Sequence, residues 1–421
     1  MASPEVQAEL QKARDSPTEG YTALFSRITP QTPLPDLKAI VDHIFAGSYG
    51  VVTTKAVLAD FVSALQRNSG PETTPNNDAW VEIGEHAIRA ISQATSLSSS
   101  LVDQSSALRE LVATSLEANE DFLAAAKTLS EIPLESSQRR VSDADKAKIW
   151  IRIVRNYLEV DDSTTAEMYL NKLKNIMHKL TDSDPELTLH FKLSAARIQD
   201  SNRQFLQAAA SYHDISFSPA IAEEERLHTL SMAIKCAILA PAGPLRSRTL
   251  GRLHKDERSV QLEEYPILEK MFFDRLLNKE EVEKFAKGLA PHQLAHTSDG
   301  STVLTKAVVE HNLLSAGRLY SNIGFDELGV LLGLSGDKAE DTTSRMIEQG
   351  RLAGSIDQID RIVYFDGSEG SGEKGSGHAE VQVGKEMRRW DTNVQALAED
   401  VEQLVDSLQA EFPEFVSTVV V

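Results

Sequence analysis

Phe122-Leu-Ala-Ala-Ala-Lys-Thr-Leu129 returns downstream as Thr164-Thr-Ala-Glu-Met-Tyr-Leu170 and again as Phe205-Leu-Gln-Ala-Ala-Ala-Ser-Tyr212. The closing large residues, Leu129, Leu170 and Tyr212, stand 41 and 42 positions apart. Upstream of each block the register persists: Leu116, Tyr157, Ile198 and Leu239 fall at steps of 41, as do Leu108, Ile149 and His190. A fixed period of this length marks stacked structural units. Each unit reads as an apolar helix, a polar turn (Glu117 to Asp121, Glu159 to Ser163, Gln199 to Gln204) and a second helix with small alanines near its start. The alanines let paired helices approach closely, while the large residues fill the groove against the next pair. Such a pair cannot bury its apolar face alone, so stacking is obligatory. The period exceeds the roughly 34 residues of a tetratricopeptide unit. The expected fold is therefore mainly α, with a looser, tetratricopeptide-like helical-repeat solenoid over 100–240. Val51 to Leu65 and Trp80 to Ile91 are also periodic, on either side of the break Ser69 to Asn77, and fit degenerate units capping the stack.

Past Leu239 the pattern changes. Pro241-Ala-Gly-Pro244 stops the helix, and a mixed helical stretch runs through Tyr265 to Ala286. Val303 to Tyr320, Phe325 to Leu334 and Asp337 to Gln349 read as three helices, the last stopped by Gly350. Ala353 to Gln358 and Arg361 to Phe365 are strand candidates, the second rich in β-formers. Three helices and a two-stranded wing make a winged helix. Its third helix carries four acidic residues against two basic ones, the wrong sign for a phosphate-lined groove. The expectation is instead protein contact at the wing, through Ile356, Ile362, Val363, Tyr364 and Phe365, with the last strand offering unpaired backbone groups.

Asp366 to His378 hold five glycines and no large apolar side chain, and read as a linker or loop. Beyond it Val383, Met387, Trp390, Val394, Leu397, Val401, Leu404 and Leu408 step alternately by 4 and 3. That strict heptad predicts a long helix with a narrow apolar seam, suited to a bundle of long helices. The alternative is a helix folded back on its own solenoid, against which the flexible tether argues by letting the helix reach other chains. The expected organisation is amino-terminal repeats over 1–200 and a second domain over 201–366, helical over 201–300 and winged over 301–366. A linker over 367–378 and a bundling helix over 379–412 complete it.

The net charge of −20, from 63 acidic and 43 basic residues, argues against general nucleic-acid affinity. The densest basic stretch, Arg246 to Arg258, also carries Asp256 and Glu257. No run approaches the roughly 18 apolar residues that span a bilayer, and MASPEVQAEL has neither a basic nor an apolar signal region, so neither membrane nor secretion is expected. The one cysteine, Cys236, cannot form an internal disulfide and fits a reducing intracellular compartment. Catalysis lacks a candidate. His292-Gln-Leu-Ala-His296 reads as an i, i+4 pair on one helical face, but Gln293 stands where a zincin needs its general-base Glu. Cys236 lies among Ala233, Ile234, Ala237 and Ile238 as a packed thiol. Gly367 to Gly377 lacks the spacing of a phosphate loop. No catalytic residue, metal or cofactor is expected.

Helical repeats running into a winged helix are the mark of the PCI family, named for the proteasome lid, the COP9 signalosome and initiation factor three. The chain resembles that family, its signalosome branch above all, through Ile149-Trp-Ile-Arg-Ile-Val-Arg-Asn-Tyr-Leu-Glu159 with Ala166-Glu-Met-Tyr-Leu170. Ser231 to Leu250, Leu253 to Arg258, and Glu310-His-Asn-Leu-Leu-Ser-Ala-Gly-Arg-Leu-Tyr320 through Phe365 carry it further. The resemblance covers about 100–412, and the glycine-rich insert departs from it. It implies a scaffold and substrate-sensing subunit of the complex that removes Nedd8 from cullin–RING ubiquitin ligases, with the zinc active site in another subunit. It implies as partners the other PCI subunits, the metalloprotease-fold pair and the neddylated cullin–RING ligase, in cytoplasm and nucleus. A non-ATPase subunit of the 26S proteasome lid, built alike, is the alternative.

Overall fold

The computed structural model describes residues 3–13, 17–29, 32–47, 49–68, 77–94, 98–135, 141–180, 184–296, 300–365 and 385–412. The glycine-rich stretch 367–378, Val383 and the tail beyond 412 lie outside the described residues. The chain divides into two units, Met1–Thr229 and Leu230–Val421.

The first unit opens with α1 (Pro4–Ala13), α2 (Pro17–Phe25), α3 (Leu34–Ala46), α4 (Val51–Asn68) and α5 (Asn77–Gln93). Their shared core includes Tyr21, Phe25, Ile40, Ile44, Leu58, Phe61, Leu65 and Ile83. The repeats follow as α6 (Val102–Ala118), α7 (Phe122–Ser130), α8 (Asp143–Glu159), α9 (Ser163–Met177), α10 (Pro185–Ser201) and α11 (Phe205–Ser216); α12 (Glu223–Leu239) carries the chain into the second unit. The expected anchors Leu116, Tyr157, Ile198 and Leu239 are all buried, and so are Leu129, Leu170 and Tyr212. Ala125, Ala126, Ala166, Ala208 and Ala209 are fully buried, as close helix pairing requires. His190 is the exception among the register positions: it is half-buried and lies 3.8 Å from Glu186.

The repeated turns share one device. Glu120, Asp161 and Arg203 take φ of 63°, 60° and 60°, a left-handed conformation that ends each first helix. The next residue folds its N–H back onto the helix just closed: Asp121 to Leu116 O at 2.9 Å, Asp162 to Tyr157 O at 3.0 Å, Gln204 to Gln199 O at 2.8 Å. Asp121 and Asp162 then cap the second helix, accepting from the N–H groups of Ala124 and Thr165 at 3.2 and 3.1 Å. Neighbouring units are joined along their first helices by polar links. Glu117 accepts from Arg152 at 2.9 Å and from Asn156 at 2.8 Å, and Glu159 accepts from Arg197 at 2.8 Å.

The second unit continues with α13 (Pro244–His254), α14 (Tyr265–Phe272) and α15 (Lys279–Ala286). The winged helix consists of α16 (Val303–Leu319), β1 (Asn322–Gly324), α17 (Phe325–Leu332), α18 (Gly336–Glu348), β2 (Gly354–Asp357) and β3 (Ile362–Phe365). Gly350 takes a φ of 65° after α18, the stop expected of it. The core of this subdomain is Leu313, Ala316, Phe325, Leu328, Leu332, Ala339, Met346, Val363 and Phe365. The wing corrects the sequence reading in one respect. It has three strands in the order β1-β3-β2, with Tyr364 paired to Asn322 on one side and to Ser355 on the other. The last strand is therefore central and its backbone groups are taken; the two edges of the sheet belong to β1 and β2. Last comes α19 (Lys385–Glu411), a 27-residue helix.

The left-handed turns carry side chains that gain nothing from that conformation, so Asp161→Gly and Arg203→Gly should each raise stability by up to about 1 kcal/mol, read by urea denaturation. The same change at Asp274, also left-handed at φ 49°, should destabilise, because that carboxylate pairs with Arg318 at 2.7 Å.

Candidate functional site

α16 carries Glu310, His311 and Asn312 in succession, all buried, and Ser315 one turn on. Successive residues on a helix point about 100° apart, so the three polar groups reach three different neighbours. Glu310 takes Arg351 in a two-pronged ion pair at 2.5 and 3.1 Å, and also accepts the backbone N–H of Ala242 at 3.0 Å. Arg351 in turn donates to the carbonyl of Ala242 at 3.0 Å. One carboxylate thus binds the turn before α13 to the chain leaving α18. His311 donates from Nε2 to the carbonyl of Arg275 at 2.9 Å, which leaves Nδ1 to accept from Arg246 at 3.3 Å. Asn312 accepts the N–H of Leu277 at 3.0 Å and donates to its carbonyl at 3.4 Å. The segment 274–277 is in this way fastened to α16 through backbone groups that would otherwise be buried unpaired.

Burial governs the ionisation of this joint. Burial pushes His311 down to about 3, helped by the charge of Arg246, so the ring is neutral at physiological pH. Burial also lowers Arg246 to about 10, against the pull of Glu310 and Asp274, and the guanidinium stays charged. Asp274 is raised by burial despite Arg318 and Arg246. Arg246 opens the basic stretch picked out in the sequence, and its burial withdraws it from any polyanion; Arg258, at the other end, is held by Asp256 at 2.6 Å.

Two surfaces lie outside this joint. On α19, Trp390, Val394, Leu397, Val401 and Leu404 are between 45 and 64% exposed, and every side chain of the helix whose burial is described is exposed. The side chains of Met387 and Leu408 lie outside the described residues. The second surface is at the wing. Of the residues expected there, Val363 and Phe365 point inward and are buried, while Ile356 and Ile362 are partly buried. Strand alternation turns every second side chain of β3 into the core, and Tyr364 between them stays 39% exposed. Sequence reading missed Ile359, which is 94% exposed at the turn between β2 and β3. Ile359, Ile356 and Tyr364 line a cleft of about 510 Å³ against Glu340 and Ser344 of α18.

The histidine pair is also corrected. Pro291 to Leu294 form a single 3-10 turn, and His296 lies in an isolated bridge to Thr302, so the two rings do not share a helical face. Cys236 is fully buried. Among the described residues no group of three or more His, Cys, Asp or Glu is placed to hold a metal ion, and no helix is long and apolar enough to cross a membrane.

A helical array running into a winged helix is the architecture of a PCI-type protein, and the model of the PCI domain matches residues 275–366. The model described as PSMD12/CSN4, N-terminal, matches residues 5–224, more than half of the chain. Among relatives, COP9 signalosome complex subunit 4 of Neurospora crassa is 63% identical over 404 residues, which cover 94% of this chain and 92% of that one. The proteins of the same name from Emericella nidulans and Dictyostelium discoideum are 45% and 39% identical, over 92% and 95% of this chain and 92% and 94% of their own lengths. The chain belongs to the COP9 signalosome subunit 4 family.

Removing Glu310 leaves the partly buried Arg351 and the Ala242 N–H unmatched. Glu310→Ala should destabilise the chain by about 3 kcal/mol, and the double variant with Arg351→Ala by less than the sum of the single losses, both measured by denaturant unfolding. His311 also predicts a pH response. Its folded value lies below the ordinary 6.5, so the unfolded chain binds the proton more readily. Its contribution is whole above pH 6.5 and is lost as pH falls towards about 3. His311→Gln, which keeps a donor and an acceptor, should flatten the fall in stability below pH 6 by up to ~1.4 kcal/mol per pH unit.

Proposed function

We propose that this chain is a non-catalytic scaffold and substrate-sensing subunit of the COP9 signalosome, the complex that removes Nedd8 from cullin–RING ubiquitin ligases. The observation that carries the reading is the open apolar seam of α19. A 27-residue helix extends about 40 Å, and five of its seam residues stand in solvent. Covering each is worth about 1.5–3 kcal/mol, so a bundle with helices of other subunits is strongly favoured over solvent. Membership of the subunit 4 family supports the identity of the assembly. The zinc active site is assigned to another subunit, in keeping with a chain built around surfaces.

The division of labour follows from the same parts. The repeats over 1–200 face the neddylated cullin–RING ligase, and the domain over 201–366 joins the other PCI subunits. The free edge of β2, flanked by Ile359 and Tyr364, adds to a neighbour through backbone hydrogen bonds. The helix over 379–412 enters the shared bundle near the metalloprotease-fold pair. Nucleic acid and membrane are not partners, and the complex works in cytoplasm and nucleus.

The test is assembly. The full chain, expressed with tagged sister subunits, should co-purify with them and with zinc-dependent Nedd8 removal. Leu397→Asp/Leu404→Asp should keep its helix content and melting temperature yet enter the complex at least about 100-fold more weakly, since each change leaves a buried charge or an empty pocket in the bundle. Normal incorporation of the double variant would remove the seam as the assembly element. Co-purification of the full chain with ATP-dependent proteolysis would place it in the proteasome lid instead.

A further inference from the structure

α16 and α18 face each other across a cleft of about 360 Å³, distinct from the one at the wing. Its lining carries Lys306 of α16, Lys338 and Arg345 of α18, and Arg351, an unusual gathering of cations in a chain of net charge −20. Two carboxylates, Glu310 and Asp341, share the lining. Each is already engaged. Glu310 is buried in its two-pronged pair with Arg351 and its bond from the Ala242 N–H. Asp341 pairs with Arg345 on the surface, where both side chains are well exposed. Lys306 and Lys338 are exposed and have no carboxylate partner among the described residues. The uncancelled charge of the cleft is therefore about two positive units, carried by the two lysines.

The helix that supplies half of this charge has sorted its residues. α18 is acidic overall, yet both of its basic residues line the cleft. Two of its carboxylates are occupied elsewhere: Asp337 lies 3.3 Å from Arg361, and Glu340 accepts from Gln358 at 2.7 Å. The floor adds apolar surface from Val309 and Leu334. The volume is at the lower end of that found for small-ligand sites.

We propose that this cleft binds a phosphate monoester. A phosphate monoester near neutral pH carries between −1.5 and −2 charges, about the surplus of the two lysines. A single carboxylate would satisfy only one of them. Lys306 and Lys338 act as point charges on the phosphate oxygens, and Arg345 can leave its weak surface pair to add a fork. The carbon part of the ester lies on Val309 and Leu334. The same chemistry is offered by a small phosphorylated metabolite or by a phosphorylated side chain of another protein.

The test titrates the full chain at about 50 mM salt with phenyl phosphate, inorganic phosphate, and a phosphoserine peptide beside its unphosphorylated form. Phenyl phosphate should bind saturably and more tightly than inorganic phosphate, which leaves the apolar floor unused. Lys306→Ala/Lys338→Ala, two exposed positions whose loss leaves the core intact, should weaken binding about tenfold or more, whereas Lys148→Ala, exposed on α8, should not. A peptide that binds more tightly than phenyl phosphate, through the phosphate and the same lysines, assigns the phosphate to a protein partner. Phenyl phosphate bound without the peptide assigns it to a metabolite. Absence of saturable binding by both organic probes, or equal binding by the double-lysine variant and the parent chain, overturns the proposal.

Discussion

The second unit depends on the pair between Glu310 and Arg351. A buried carboxylate facing a partly buried guanidinium forfeits hydration, and the loss is offset only where geometry is good and the remaining polar atoms find partners. Both conditions hold here. The pair is two-pronged, and the N–H and carbonyl of Ala242 complete it. An apolar pair of equal volume would pack without engaging the N–H and carbonyl of Ala242. The ionic pair ties the turn before α13, the helix α16 and the chain leaving α18 into one arrangement, so the helical part and the winged helix behave as one module. His311 and Asn312 extend the joint to 274–277 and complete the backbone satisfaction of a segment without regular structure.

Outside that joint, the described residues present two surfaces. α19 shows an apolar seam, and the wing shows a strand edge with Ile359 and Tyr364 beside it. These are features whose favourable state is contact with another chain. The winged helix illustrates how little a fold says about its use. The helix that would enter a major groove in a DNA reader is acidic here. Its charges are parted: the basic ones turn to the cleft with α16, and two of the acidic ones to the wing side. The same scaffold therefore presents a strand edge on one side of α18 and a small cationic cleft on the other.

Much of this was legible in the sequence, for a physical reason. A repeat must bury equivalent positions in every unit, so Leu116, Tyr157, Ile198 and Leu239 are constrained alike and their period is visible without coordinates. The three helices of the winged domain, the stop at Gly350 and the heptad from Trp390 to Leu404 are equally local, because each depends on spacing along one helix or one turn. The elements that escaped are those decided by partners distant in the chain. β1 is three residues long, too short to show alternation, and it forms only because β3 lies beside it. Its pairing makes β3 central and leaves β1 and β2 as the edges, while strand alternation turns Val363 and Phe365 inward. The chain after Pro291 makes one tight turn and then extends at Ala295 to bridge His296 to Thr302, which parts His292 from His296. Arg246 reads as one more surface cation until the fold buries it against a histidine 65 positions later. The sequence by itself determined that this protein is a stack of helix pairs ending in a winged domain and an apolar-seamed helix, since those follow from periodicity. Only the tertiary structure decided which polar groups are hidden and which strand edge and cations face outward, since burial and charge pairing depend on neighbours that spacing along the chain does not specify.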